Sequence, residues 1–198
     1  MDFRLIFILG FAGFVVTVIL LAIVITYLNE KRRSKNLAEQ AGGIGFEPAT
    51  KDIVTSIGFR QTQLGNKQKV YNVLTGTFDG MQVIFFDITI VIGHFITGST
   101  SSHGGSFKSS GIIFKEKAPI FELQPRSPIS KNAYNKYFSL KGDTSLMNDS
   151  LAERIGRNYA IESNGTHVLF VPSGKRVEDM GEEVKAAYGI LQDIIQRY

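Results

Sequence analysis

Cysteine and tryptophan are absent from the 198 residues, and histidine occurs only three times. The lack of cysteine excludes disulfide bonds, thiolate metal ligands and a cysteine nucleophile. His94, His103 and His167 form none of the paired spacings that zinc hydrolases use. A metal site would therefore need these histidines to meet Asp79 or Asp87 in space. We expect no metal site and no cofactor.

Charged residues are absent from Leu5 to Leu28. A helix of these 24 residues would be roughly 36 Å long, which is enough to cross a hydrocarbon core of about 30 Å. A cleaved signal peptide is the alternative, but its apolar core is typically about 7–15 residues long. The sequence therefore predicts an uncleaved transmembrane helix over residues 5–28.

Basic residues flank this stretch unequally. Lys31, Arg32, Arg33 and Lys35 follow it, whereas Arg4 precedes it. The positive-inside rule therefore predicts an external N-terminus and a cytoplasmic C-terminal domain. The four cations after the span are also expected to contact anionic lipid at the membrane surface.

The remainder of the chain is nearly neutral. Of 22 basic and 18 acidic residues, five basic and two acidic residues precede position 36, which leaves 17 and 16. A nucleic-acid-binding domain would need a basic patch of its own. We therefore predict no nucleic-acid partner.

Small residues in the apolar stretch suggest a second role for the anchor. Gly10, Gly13 and Thr17 could let another helix approach closely, and the last two have the small-xxx-small spacing. Self-association through these three residues is thus one expectation for the partners, beside the lipid bilayer and a protein partner whose identity is open.

Strand patterns dominate the chain after the anchor. Val70–Phe78 and Met81–Gly93 flank Asp79-Gly80, a strong signal for a two-residue hairpin. Residues 53–62 are a further predicted strand. Asn164-Gly165 predicts a second hairpin, between strands at 159–163 and 166–171.

Two helices complete the predicted fold. Met147, Leu151 and Ile155 recur every four residues and predict an inserted helix over Ser145–Arg157. Glu178–Tyr198 predicts a terminal helix that covers the sheet, with acidic residues in its first turn. Its predicted inner face comprises Met180, Val184, Ala187, Tyr188, Leu191, Ile194, Ile195 and Tyr198.

The predicted fold class is α+β: an N-terminal transmembrane helix, then an antiparallel sheet of about seven strands with an inserted helix and a covering helix. The order of these elements resembles a pleckstrin-homology-like half-barrel, an analogy that implies no function. The predicted organisation is an external N-terminus at 1–4, the span at 5–28, a juxtamembrane basic segment and linker at 29–52, and the domain at 53–198.

Several motifs occur in an order that resembles a group of uncharacterised bacterial single-pass membrane-anchored proteins. They are Asn72-Val73-Leu74-Thr75-Gly76, Phe86-Asp87, Pro119-Ile120-Phe121-Glu122-Leu123-Gln124-Pro125 and Leu140-Lys141-Gly142-Asp143. The pattern is N-V-L-x-G, F-D, P-x-F-x-L-x-P and L-x-G-D before a helix. The resemblance covers most of residues 70–198 and implies the fold and an inner-membrane location. It implies no activity and no ligand.

Candidate catalytic residues are few. A Ser/Gly-rich segment at 97–111 is predicted to be a flexible hairpin loop, and within it Ser101 and His103 could serve a hydrolase, with loop 99–106 supplying backbone N–H groups. No G-x-S-x-G elbow supports this alternative. Asp87, inside an apolar strand, is the carboxylate most expected to be buried. It is a candidate site residue, although a structural role is the commoner one.

The leading expectation is a membrane-anchored, non-catalytic interaction or scaffold module on the cytoplasmic face. Two alternatives stay open: the hydrolase at loop 99–106, and a regulatory domain docked on anionic lipid. An enzyme is the less favoured class, because the sequence contains no recognisable catalytic set.

Overall fold

The computed structural model describes residues 3–63, 67–92, 105–125, 138–143, 147–156, 158–173 and 176–197. The chain divides into two compact units, Met1–Glu39 and Gln40–Tyr198. The helices are α1 (Phe3–Gly43), α2 (Asp52–Ile57), α3 (Asp149–Ile155) and α4 (Met180–Ile195). The strands are β1 (Glu47–Pro48), β2 (Lys67–Phe78), β3 (Met81–Ile92), β4 (Gly105–Phe114), β5 (Phe121–Pro125), β6 (Phe138–Gly142), β7 (Tyr159–Ser163) and β8 (Val168–Pro172).

Helix α1 contains the predicted span. Among the described residues it is the one helix that is long and apolar enough to cross a membrane, and none of its apolar window is buried inside the structure. The Thr17 hydroxyl donates to the Gly13 carbonyl at 2.9 Å, and the Thr26 hydroxyl donates to the Ala22 carbonyl at 2.8 Å. The polar groups of these two side chains are thus satisfied within the helix, as a lipid environment requires. The helix is a candidate membrane span.

The described strands form one open antiparallel sheet in the order β1-β2-β3-β4-β8-β7-β5-β6. The fold is α+β, as predicted. The sheet has eight described strands where about seven were expected, and its strands lie side by side in one open sheet instead of closing as a half-barrel. Because β4 pairs with β8, a late strand joins the two runs of strands into one sheet.

The hairpin of β2 and β3 is confirmed at its predicted place. Asp79 and Gly80 both have positive φ, 50° and 78°, as a two-residue type I′ turn requires. The other hairpin, β7–β8, is also present, but its loop has four residues, Asn164 to His167. There the Asn164 side chain accepts hydrogen bonds from the backbone N–H of Thr166 and His167 at 3.1 and 2.9 Å. The side-chain bonds stabilise a wider turn than the Asn-Gly pair predicts.

The predicted strand at 53–62 is wrong. Its first part belongs to helix α2, which ends at Ile57 and has Gly58 with φ 76° as its C-cap, and a 3-10 helix follows over Gln61–Gln63. Ile53, Val54 and Thr55 favour a strand locally, yet this segment covers one face of the sheet and tertiary packing outweighs propensity. The buried hydrophobic cluster between this segment and the sheet consists of Val54, Phe59, Val73, Ile84, Phe86, Ile88, Ile113 and Leu169.

Helix α4 covers the opposite face, as predicted. The ring of Phe114 lies 5.7 Å from that of Phe170 and 6.2 Å from that of Tyr188, measured between centroids. Five residues of the predicted inner face are buried: Met180, Val184, Ala187, Leu191 and Ile194. Strand β3 therefore lies between two covered faces, and each residue from Val83 to Ile88 is buried.

Part of the predicted Ser/Gly loop is strand. Residues 105–111 belong to β4 and pair with β3 along its length. In this strand the small residues have specific neighbours: Gly111 lies opposite Phe86, and Ser110 lies opposite Asp87. Glycine and serine at these positions leave space for the larger side chains of β3. The composition of this segment by itself resembles that of a loop, which is why the sequence predicts one.

Candidate functional site

The predicted carboxylate, Asp87, is fully buried in β3 and belongs to a hydrogen-bonded network. The Asn72 amide donates to Asp87 Oδ2 at 2.9 Å, and the Ser110 hydroxyl donates to Asp87 Oδ1 at 2.8 Å. Ser110 Oγ in turn accepts the backbone N–H of Val177 at 3.1 Å. Side chains from β2 and β4 thus meet at the carboxylate of β3, and Ser110 connects it to the backbone after β8.

Asn72 reaches Asp87 because strand β2 is irregular there. The pairing with β3 shifts between Tyr71 and Leu74, and Asn72 has φ 51°. Asparagine tolerates this left-handed conformation better than most residues, and such bulges redirect a side chain. The local residue pattern does not indicate the bulge, because it depends on how β2 pairs with β3.

The Asp87 network is better suited to a structural role than to a catalytic one. Asp87 and Ser110 are both 0% exposed, so a substrate would have no access to the carboxylate or the hydroxyl. The neighbouring Ser109 hydroxyl donates to the carbonyl of Pro172 at 3.1 Å, which ties β4 to the end of β8. A buried carboxylate needs such partners because an unpaired one is costly.

The other catalytic candidates, Ser101 and His103 in loop 99–106, lie outside the described residues. The hydrolase alternative therefore stays a prediction. Among the described residues, no group of three or more His, Asp or Glu side chains could hold a metal ion.

The basic residues predicted to contact the membrane surface all lie on α1, directly after its apolar stretch. Lys31, Arg32 and Lys35 are exposed and Arg33 is half-buried. Lys35 also pairs with Glu39, one helical turn later, at 3.6 Å. A single exposed pair of this kind contributes little stability, so the lysine stays available to lipid phosphate.

The residues predicted for helix self-association, Gly10, Gly13 and Thr17, also lie on α1. A Cβ placed at Gly13 would meet no atom within 4 Å. The surface around Gly13 is thus open within the chain, and self-association stays a prediction.

A cavity of about 510 Å³ opens on the α2 side of the sheet. Its walls are α2, the start of β3, Lys115 directly after β4, and the β7–β8 loop. The Asn164 amide donates to the carbonyl of Ile57 at 3.3 Å and so joins the loop to the end of α2. Ile53, Ile57 and Ile84 supply apolar surface.

His167 is the titratable side chain of this cavity with a perturbed pKa. Partial burial lowers its pKa below the ordinary value of 6.5, and the nearby charge of Lys115 lowers it further. His167 Nδ1 lies 3.0 Å from the Thr166 hydroxyl, which donates its own proton to Asn164 Oδ1 at 3.1 Å. No sequence motif singles out His167, because Lys115 is distant in sequence and only sheet pairing brings it near.

A second cavity, of about 420 Å³, lies between α3, α4 and the ends of β7 and β8. In its wall the Tyr159 hydroxyl donates a hydrogen bond to the Glu183 carboxylate. The pKa of Tyr159 is raised well above its usual value, mainly by burial and further by the Glu183 carboxylate. A phenol that stays neutral and bonded to α4 acts as a link between β7 and the covering helix.

No protein-family model, no curated protein and no solved structure matches the chain. Its function has to be inferred from the residues described above.

Proposed function

We propose that the protein is a membrane-anchored, non-catalytic interaction or scaffold module whose C-terminal domain lies on the cytoplasmic face of the inner membrane. The observation that carries this proposal is helix α1. Its apolar window has no buried residue and four cations follow it directly. The domain would bind a protein partner, and the anchor would raise its concentration near that partner.

The orientation in this proposal rests on the charges beside the span. Lys31, Arg32, Arg33 and Lys35 lie within two helical turns of its C-terminal end, whereas Arg4 lies at the other end. Cations near the ends of a span are retained on the cytoplasmic side.

The absence of catalysis is supported by the burial of the Asp87 network. Asp87 and Ser110 are closed to solvent and bonded to one another, so both are committed to the fold. The two faces of the sheet are also covered, one by α2 and the other by α4. Surface recognition is therefore the use that this domain suits best.

A pair of reporters fused after Tyr198 tests the orientation. A fluorescent protein that folds in the cytoplasm is expected to be active, and a phosphatase that needs the oxidising periplasm is expected to be inactive. The reverse result would overturn the proposal, because the domain would then lie outside.

A matched set of variants identifies the cause of the orientation. Replacing Lys31, Arg32, Arg33 and Lys35 by Gln should shift the population towards the inverted orientation, because Arg4 is then the one Lys or Arg close to either end of the span. Replacing four exposed lysines of the domain should leave the orientation unchanged. The control positions are Lys51, Lys69, Lys117 and Lys185.

Docking on anionic lipid is a second candidate function, favoured by the exposure of Lys31, Arg32 and Lys35. Each such cation contributes about 1 kcal/mol near an anionic surface. Binding of residues 29–198 to vesicles that is the same with and without anionic lipid would count against this candidate.

A further inference from the structure

The cavity between α2 and the β7–β8 loop has the composition of a binding site for an organic anion. Its described lining includes Lys115 and His167 and contains no carboxylate. The lining also includes the amide of Gln82, which can donate hydrogen bonds, whereas the Ser56 and Thr166 hydroxyls donate to Ile53 O and to Asn164 Oδ1. A volume of about 510 Å³ lies within the usual range for small-molecule sites.

The charges in the lining favour a ligand with a single negative charge. Lys115 supplies one permanent positive charge, and among the described residues no ion pair involves it. His167 adds a second charge only when it is protonated, and helix α2 and strand β3 contribute no titratable side chain to the described lining. One cation matches a carboxylate better than a dianionic phosphate.

The remaining wall favours an apolar body on that ligand. Ile53 and Ile57 are one turn apart on α2, and Ile84 faces them from β3. Lys115 and His167 lie instead after β4 and in the β7–β8 loop, so the apolar and the cationic side chains of the lining come from different elements.

We propose that this cavity binds a small aliphatic monocarboxylate, whose charged group lies between Lys115 and His167 and whose hydrocarbon part contacts Ile53, Ile57 and Ile84. The carboxylate accepts hydrogen bonds from the lysine and from the Gln82 amide. The domain would then sense a small metabolite, which is a function beyond scaffolding.

The position of His167 gives the binding a characteristic pH dependence. Because the Thr166 hydroxyl donates to Asn164 Oδ1, it accepts from His167 Nδ1–H, which both the protonated ring and one neutral tautomer carry, so the ring keeps its place in both charge states. A bound carboxylate adds a negative charge near a ring whose pKa burial and Lys115 have lowered. The ligand should raise the pKa of His167, and by linkage binding should tighten as pH falls through that pKa.

NMR of the ring signals of His167 in the full chain, held in a zwitterionic detergent, tests the proposal with three probes. Hexanoate has both the charge and the apolar body, hexanol has only the body, and inorganic phosphate has only charge. We expect saturable shifts with hexanoate, at least tenfold weaker binding of the other two, and a higher pKa of His167 in the hexanoate complex. The signals are assigned by their loss in His167→Gln.

Two lysine variants connect the signal to the cavity. Lys115→Gln should weaken hexanoate binding about tenfold, because a charge-assisted hydrogen bond is lost. Lys117→Gln, two residues away and outside the lining, should leave it unchanged. Both positions are exposed, and circular dichroism confirms that each variant folds.

Several outcomes would overturn the proposal. Equal binding of hexanol and hexanoate would mean that the cavity selects for apolar surface alone. Phosphate binding as tight as that of hexanoate would mean a simple anion site without the apolar component. An unchanged affinity in Lys115→Gln, or shifts that never saturate, would exclude the site altogether.

Discussion

Gly111 and Phe86 occupy opposite positions on β4 and β3, and the contact between them depends on the absence of a side chain at Gly111. A Cβ at Gly111 would lie 2.3 Å from Phe86 Cζ and 2.6 Å from Cε1. The Phe86 ring is fully buried among other core side chains and has no space into which it can move. The neighbouring Ser110 is likewise committed, to Asp87. The small residues Ser110 and Gly111 of β4 are therefore required by their neighbours on β3, Asp87 and Phe86.

Gly111→Ala is expected to lower the free energy of unfolding by about 1–3 kcal/mol, because the added methyl group overpacks the core. Urea unfolding of the full chain in detergent, followed by circular dichroism, measures the loss. Gly42→Ala is the matched control: a Cβ at that exposed position meets no atom within 4 Å, and no loss is expected.

A double variant then tests the contact itself. Gly111→Ala combined with Phe86→Leu should lose less than the sum of the two single variants, because the smaller side chain makes room for the methyl group. Strict additivity would show that the glycine serves another purpose.

At the scale of elements, the two helices that cover the sheet differ in how their positions are determined. Helix α4 carries its own signals: Asp179 precedes it and accepts the N–H of Glu182 at 3.0 Å, and its apolar residues recur at helical spacing. Helix α2 has six residues and no side-chain cap at Lys51. Such a short helix is not stable by itself and depends on the sheet surface that it covers.

Asp179→Ala should lower the free energy of unfolding by about 1 kcal/mol, the usual contribution of a helix N-cap. Glu178→Ala removes the same charge one residue earlier without removing the cap, and should change stability by less than about 0.5 kcal/mol. The same urea titrations apply. If both variants lose equally, the charge near the helix end and not the capping bond would be responsible.

At the scale of the whole molecule, one continuous helix combines an apolar stretch with a cationic one. Helix α1 runs for 41 residues, and the exposed apolar side chains from Phe11 to Leu28 leave it without a covering surface in the described structure. Exposing that apolar surface to water would cost free energy, whereas the hydrocarbon core of a membrane would cover it. The basic residues that follow then account for most of the net charge of +4.

The full chain should remain in the membrane fraction after washing with high salt and with alkaline carbonate, because an inserted helix is not held by screened charges. The variant with Gln at Lys31, Arg32, Arg33 and Lys35 should be retained equally, as immunoblots of the pellet and supernatant would establish. Release of the unaltered chain by salt would mean that it is attached through its charges.

The long apolar helix α1, the β2–β3 hairpin and the covering helix α4 are determined locally, and the sequence alone predicted them. A continuous apolar run, an Asp-Gly turn with both residues at positive φ, and an apolar stripe at helical spacing each act within a short stretch of chain. The predicted burial of Asp87 also followed from a local pattern, its place in an apolar strand.

Only the tertiary structure decided the helix at 52–57, the strand at 105–111, the bulge at Asn72 and the meeting of Lys115 with His167. Each depends on residues far apart in sequence. The sheet face that α2 covers, the Phe86 ring that needs Gly111, and the carboxylate that Asn72 reaches all come from other strands. Long-range packing outweighs the weak local preferences of short segments, and a single sequence carries no record of those pairings.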